Sequence, residues 1–168
     1  TQRAQDDFRL PLSATPDSLY VWVSYYAANA SSHASVKATL HGDCDFRDPA
    51  DDGNANLYAA IAQQAVSRTS SSPSSYNWTL LKIPFVYSGN ADPAYLLISL
   101  SSNTLQGGGD ANDSLSVDDM QLIYSAWLND ISMNGHTIAN FNKSITSYTV
   151  YCLPGLLTSS VQSLTYST

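Results

Sequence analysis

Five stretches of this chain have the length and residue types of a β-strand, and clusters of turn residues separate them. They are Leu19 to Tyr26, Ala34 to His41, Tyr76 to Tyr87, Ala94 to Ser101 and Ser114 to Tyr124. Ala34 to His41 and Ser114 to Tyr124 alternate apolar and polar residues, as half-buried strands do, and the others are β-branched, aromatic and aliphatic runs of strand length. Pro16-Asp17 precedes the first stretch, Gly89-Asn90-Ala91-Asp92-Pro93 the fourth, and Gly107-Gly108-Gly109 the fifth. Leu57 to Val66 is rich enough in alanine to allow a helix, but its all-β neighbours favour a strand. Strands joined by polar turns predict an all-β fold, a β-sandwich of jelly-roll type.

The 168 residues suffice for one full domain and part of a second. The first is expected over residues 1–125. The remainder, 126–168, places Ile131, Met133, Ile138 and Phe141 around Asn134-Gly135, a strong hairpin signal, and adds a strand over Ser147 to Leu153 before Pro154-Gly155. About forty residues cannot close a sandwich alone, so this piece is expected either to pack on the first domain or to be an incomplete second one.

A net charge of −7, with only 12% charged residues, argues against nucleic-acid binding, which needs Lys and Arg to neutralise phosphates. The Ser, Thr and Asn content suits an extracellular or envelope protein. No stretch is long and apolar enough for a membrane span, and no signal peptide opens the sequence; a mature, trimmed or cytosolic chain is expected. Cys44 and Cys152 lie far apart; a disulfide between them and two buried thiols are both open. No Cys-x-x-Cys or Cys/His zinc spacing occurs.

Two adjacent carboxylates, Asp118 and Asp119, interrupt the strand Ser114 to Tyr124. By alternation one of them should face inward, and a buried carboxylate needs hydrogen-bond donors or a cation. Asp118 and Asp119 are then either paired structural carboxylates or ligands of a structural calcium ion. The segment 43–56, with Asp43, Asp45, Asp48, Asp51 and Asp52, lacks the Gly and Glu offsets of an EF-hand and reads as a solvated acidic loop.

Catalytic patterns are sparse. All 14 acidic residues are Asp, and most fall where turns need them. A glycosidase needs two carboxylates across a cleft; Asp118 and Asp119 diverge, leaving loop residues such as Asp43 or Asp110 as acid and base. Cys44 near His41 could imitate a Cys/His dyad, but a loop histidine beside a buried thiol is the better account of the pair. Sugar binding asks for less: aromatic faces to stack on sugar rings, and polar groups for the hydroxyls. On Leu19 to Tyr26, alternation puts Leu19, Val21, Val23 and Tyr25 on a core face and Tyr20, Trp22 and Tyr26 on the other, as a stacking stripe or a surface packed under a loop or a second sheet. Tyr76, Tyr87 and Tyr95 are further stacking candidates.

Pro11, Pro16 and the run Leu19 to Tyr26, then Trp78 with Ile83-Pro84 and Tyr87, then Pro93 leading into Ser101-Ser102, then Gly109 to Tyr124 with Leu115, Val117, Asp118, Asp119, Leu122 and Tyr124, occur in an order that resembles the PCMD family of carbohydrate-metabolism domains over residues 8–125. The resemblance implies a jelly-roll sandwich like carbohydrate-binding modules, with Trp78, part of the framework pattern, in the core. It also implies an envelope protein encoded beside glycan-uptake genes in Gram-negative bacteria, at the cell surface or in the periplasm, secreted or lipid-anchored. The family's front strands are not matched here, so a fragment, or an edge supplied by a partner, is expected. Residues 128–155 resemble the opening of a bacterial cadherin-like or Ig-like sandwich. Asp-Ser-Leu at 17–19 and 113–115 resembles the O-glycosylation acceptor of such bacteria, making Ser18 and Ser114 candidate sites. Asn29, Asn77, Asn112 and Asn142 open Asn-x-Ser/Thr sequons.

The sequence thus leads to a non-catalytic glycan-binding module of a surface protein. A carbohydrate-active enzyme and a structural module that assembles with other surface or outer-membrane proteins are the alternatives.

Overall fold

The computed structural model describes residues 10–105, 107–125, 130–133, 136–137, 141–142, 145 and 164–167. The described structure is all-β, with no helix among these residues. The chain divides into two compact units, Thr1–Tyr124 and Ser125–Thr168.

The first unit is built from β1 (Leu10–Pro11), β2 (Ser18–Tyr26), β3 (Ala34–His41), β4 (Tyr58–Val66), β5 (Thr79–Pro84), β6 (Val86–Tyr87), β7 (Tyr95–Ser101) and β8 (Ser114–Ile123). They form two antiparallel sheets, a large one in the order β1-β7-β3-β4-β6 and a small one in the order β5-β2-β8. The chain passes back and forth between them: β2 is in the small sheet, β3 and β4 in the large, β5 in the small, β6 and β7 in the large, and β8 in the small. The large sheet ends on two-residue strands, which limits the open edge it offers.

The inner faces of the sheets share one core. Leu19, Val21, Val23 and Tyr25 of β2 are fully buried, against Val36, Ala38 and Leu40 of β3, Ala60 and Ala62 of β4, and Leu81 and Ile83 of β5. Burying each large side chain stabilises the fold by roughly 1.5–3 kcal/mol. The alanines expected to permit a helix instead form β4: their small side chains sit opposite Leu40 and Ala38 of β3, where the pleat leaves little room. Tyr25 reaches across the core edge and donates its hydroxyl proton to Ser102 O at 2.7 Å. Burial, reinforced by the Asp113 charge, raises the pKa of that phenol.

The second unit contains β9 (Asp130–Met133), paired antiparallel with β10 (His136–Thr137) and β11 (Leu164–Ser167). Met133 stands opposite His136, the register of a two-residue hairpin. The expected strand over Ser147 to Leu153, and Cys152 with any disulfide to Cys44, lie outside the described residues. Cys44 points its thiol at Leu57 O, 3.7 Å away.

Candidate functional site

The outer face of the small sheet collects most of the exposed aromatic surface. Residues directly opposite one another in an antiparallel ladder share a face. Tyr20 pairs with Lys82 of β5 and Gln121 of β8, and Trp22 pairs with Leu80 and Asp118. Trp22 is 39% exposed in spite of its central strand. The Tyr20 ring carries the Lys82 ammonium over one face, 5.1 Å from the centroid, a cation–π contact.

A bulge sets the position of Asp118. Tyr20 pairs with Gln121 and Trp22 with Asp118, so the single residue Val21 faces both Asp119 and Met120. Asp119 takes φ 45°, the left-handed conformation that Asp tolerates better than most residues. Asp118 accepts the Asp119 backbone N–H at 2.8 Å and lies beside Trp22. The expectation that one of Asp118 and Asp119 faces inward does not hold: the extra residue breaks the alternation, and both carboxylates are exposed. The burial argument for calcium therefore lapses at this pair. Among the described residues, no group of three or more His, Cys, Asp or Glu side chains is placed to hold a metal ion.

The loop from Ser67 to Trp78 borders the face. Ser24 follows Trp22 on the same side of β2, but it is buried because this loop lies on it. Its hydroxyl accepts the Asn77 N–H at 3.0 Å and bonds Ser70 Oγ at 3.0 Å, while Asn77 Nδ2 donates to Thr69 O. Either side of this anchor, Tyr76 and Trp78 stack with centroids 5.9 Å apart and planes 11° from parallel. They remain 62% and 40% exposed, so Trp78 is not the core residue expected from the sequence. It extends the Lys82–Leu80 side of β5, which faces out. Tyr26 closes the row, and Arg68 lies over its ring at 4.7 Å, its guanidinium donating to Ser70 O and Ser71 O. The loop thus covers the Ser24–Tyr26 end and leaves the Tyr20–Trp22 end open.

Tyr87 and Tyr95 stand apart from this row. Tyr87, on β6 in the large sheet, donates to Pro16 O at 2.5 Å. Burial foremost, then the charges of Asp17 and Tyr124, raises its pKa. Tyr95, on β7, packs at a tilt on His41 with centroids 5.9 Å apart. The glycosylation candidates are both half-buried first residues of strands, Ser18 of β2 and Ser114 of β8.

The outer face of the large sheet is built differently. The segment 43–56 is not a freely solvated acidic loop: it folds down on β3. Gly42 N donates to Leu57 O, joining its ends. Phe46 is buried, stacked on His41 at 5.6 Å and edge-on to Tyr58 at 6.3 Å. Lys37 stands in the middle of β3 with its side chain 6% exposed, and its ammonium bonds both Asp48 and Asp52. Burial alone would lower the Lys37 pKa, but the hydrogen bonds and charges of the two carboxylates prevail and hold it above the ordinary lysine value. This cluster was missed in the sequence, although a lone lysine between Val36 and Ala38, ahead of an Asp-rich segment, was its signal.

The two loop aspartates considered as acid and base lie in different loops. Asp110 Oδ1 accepts both the N–H and the side-chain amide of Asn112, closing a turn, and Asp43 belongs to the loop over β3. Asp113 caps the same turn and ties it to β2's end: it accepts Ala28 N–H at 2.9 Å and Asp110 N–H at 3.0 Å, bonds that lower its pKa. Among the described residues no helix is long and apolar enough to cross a membrane. Compared with protein-family models, curated proteins and solved structures, the chain matches none.

Proposed function

We propose that this protein is a non-catalytic glycan-binding module, with the outer face of the small sheet as its sugar platform. One observation carries the reading: Trp22 and the stacked Tyr76–Trp78 pair are exposed around a single face, with the half-buried Tyr20 under Lys82 at its end, beside the polar groups of Asp118 and Gln121. Flat aromatic rings bind the apolar faces of sugar rings, and a carboxylate and an amide one strand away bind their hydroxyls. A bulge that re-aims Asp118 next to Trp22 is a feature expected at a binding surface. The resemblance to the PCMD family supports the same reading. With it come jelly-roll winding and a place at the cell surface or in the periplasm of a Gram-negative bacterium.

The test is electrophoresis of the native protein through gels containing soluble neutral polysaccharides, with release of reducing sugar followed in parallel. At least one polysaccharide should retard the protein without being cleaved. Each stacked ring contributes about 1 kcal/mol, so Trp22→Ala should weaken retardation by roughly a factor of five to ten at an unchanged unfolding midpoint. Cleavage would favour the enzyme. Retardation by none of them would move the function to assembly with other surface proteins.

A further inference from the structure

The outer face of the large sheet holds a cavity of about 330 Å³, on the opposite side of the sandwich from the aromatic platform. Its floor is a cross-strand row: Lys37 of β3 pairs with Gln63 of β4 on one side and Ser99 of β7 on the other, and Ser35 lies one step along the same face. Asp48 and Asp52, reaching down from the acidic loop, line it from above, and Thr104 contributes to the rim.

Two features distinguish this cavity from a crevice between a loop and a sheet. The first is its charge arrangement. Lys37 has three N–H donors and gives bonds to Asp48 and Asp52, so a buried cation stands between two anions. The second is unused hydrogen-bonding capacity. The side chains of Ser35, Gln63, Ser99 and Thr104 line the cavity and make no hydrogen bond with another described residue; Ser35 and Ser99 are half-buried and Gln63 and Thr104 exposed, so they are open to solvent and to a ligand that displaces it. Each of them can both donate and accept.

These features select a ligand class. The ammonium in the floor opposes a cation, and the two carboxylates oppose an anion. A ligand that satisfies all of these groups is neutral and carries closely spaced hydroxyls that donate to carboxylates and accept from the ammonium and the amide. The volume lies at the small end of ligand pockets and suits one ring rather than a chain. We propose that this cavity is a second binding site, which takes a single neutral sugar ring between Lys37, Asp48, Asp52, Gln63 and Ser99. It shares no residue with the aromatic platform and does not depend on it.

The experiment is amide-shift mapping of the isotope-labelled protein. The probes are the methyl glycosides of glucose, galactose and mannose, together with N-acetylglucosamine, and putrescine and sulfate serve as charged probes. At least one neutral sugar should move the amides of Ser35, Gln63, Ser99 and Thr104 saturably. Gln63→Ala and Ser99→Val should each weaken that binding by on the order of tenfold. Because these two side chains bond no described residue, both variants should keep the parent unfolding midpoint. Trp22→Ala should leave the binding unchanged. The proposal is overturned if no neutral sugar moves these amides, if only putrescine or sulfate does, or if the shifts survive both substitutions. Shifts confined to Tyr20, Trp22 and Trp78 would sink this site and leave the platform standing; shifts confined to the cavity would do the reverse.

Discussion

The two outer faces of the sandwich follow the same alternation and end up in opposite states. On β2 the outward Trp22 stays exposed and Tyr20 is half-buried beneath Lys82, and a loop covers only the Ser24–Tyr26 end. On β3 the outward Lys37, Thr39 and His41 are all buried, because the loop 43–56 lies across them. The contacts that hold the two covers differ in kind. The Ser67–Trp78 loop rests on hydrogen bonds to Ser24 and to the Tyr25 backbone, each worth about 1 kcal/mol net, and on Arg68 over the half-buried Tyr26 ring. The acidic loop rests on Phe46 packed against His41 and on a lysine bonded by two carboxylates. A face covered by a loop at one end only offers a surface; a face whose cover is anchored on a buried charge keeps its ligand space as a solvent-open cleft beside that cover, lined by exposed Gln63 and Thr104 as well as by Lys37.

The largest way to break this comparison is Lys37→Met. Removing one partner of a buried ion cluster leaves the others uncompensated, at a cost of 3–5 kcal/mol when fully buried. Asp48 and Asp52 side chains keep 17% and 32% exposure, so solvent offsets part of that, and a loss of about 2–4 kcal/mol in denaturant unfolding is expected. Adding Asp48→Asn and Asp52→Asn should recover part of it, since no unpaired charge then remains. A loss below about 1 kcal/mol would mean that the packing of Phe46 alone holds the loop.

A smaller effect appears with pH. The Lys37 pKa is raised on folding, so the folded chain binds that proton more tightly than the unfolded chain does. Its contribution is fully present below the ordinary lysine value of about 10.4 and is lost as pH rises through the higher folded value. The unfolding midpoint should therefore fall on the alkaline flank in the parent, and Lys37→Met should remove that share of the fall. An equal slope in both proteins would assign it to the tyrosines instead.

What could be read in the sequence divides along the same line. Period-two alternation fixed which side of β2 is core, so Tyr25 inward and Tyr20, Trp22 and Tyr26 outward were legible from spacing alone. Alternation is blind to an inserted residue. The bulge at Asp119–Met120 has no mark in the sequence, and it turned an expected buried carboxylate into two exposed ones. Trp78 was misplaced for another reason: the resemblance put it in the core as part of a framework pattern, whereas it lies on the outward side of β5 with Leu80 and Lys82. The Lys37 cluster joins a strand to a loop through contacts 11 and 15 residues apart. Composition showed the acidic loop but not what it folds onto.

The smallest predicted effect sharpens the comparison from the platform side. Ser24→Ala removes the hydroxyl that accepts Asn77 N–H and bonds Ser70 Oγ. Asn77 N–H retains Ser70 Oγ as an acceptor, 3.1 Å away, so the buried donor is not orphaned and stability should drop by only about 1 kcal/mol. The binding consequence should exceed the stability consequence, because Asn77 lies between Tyr76 and Trp78 and fixes where that stacked pair stands. If the platform reading is right, Ser24→Ala weakens glycan retention while the amides of the large-sheet cavity stay in place. If the pair is merely a surface ornament of the loop, retention follows Trp22 alone and Ser24→Ala leaves it untouched. Exchange rates at Asn77 N–H then separate the cases: faster exchange with lost retention ties the loop to the ligand, and faster exchange with retention intact frees it.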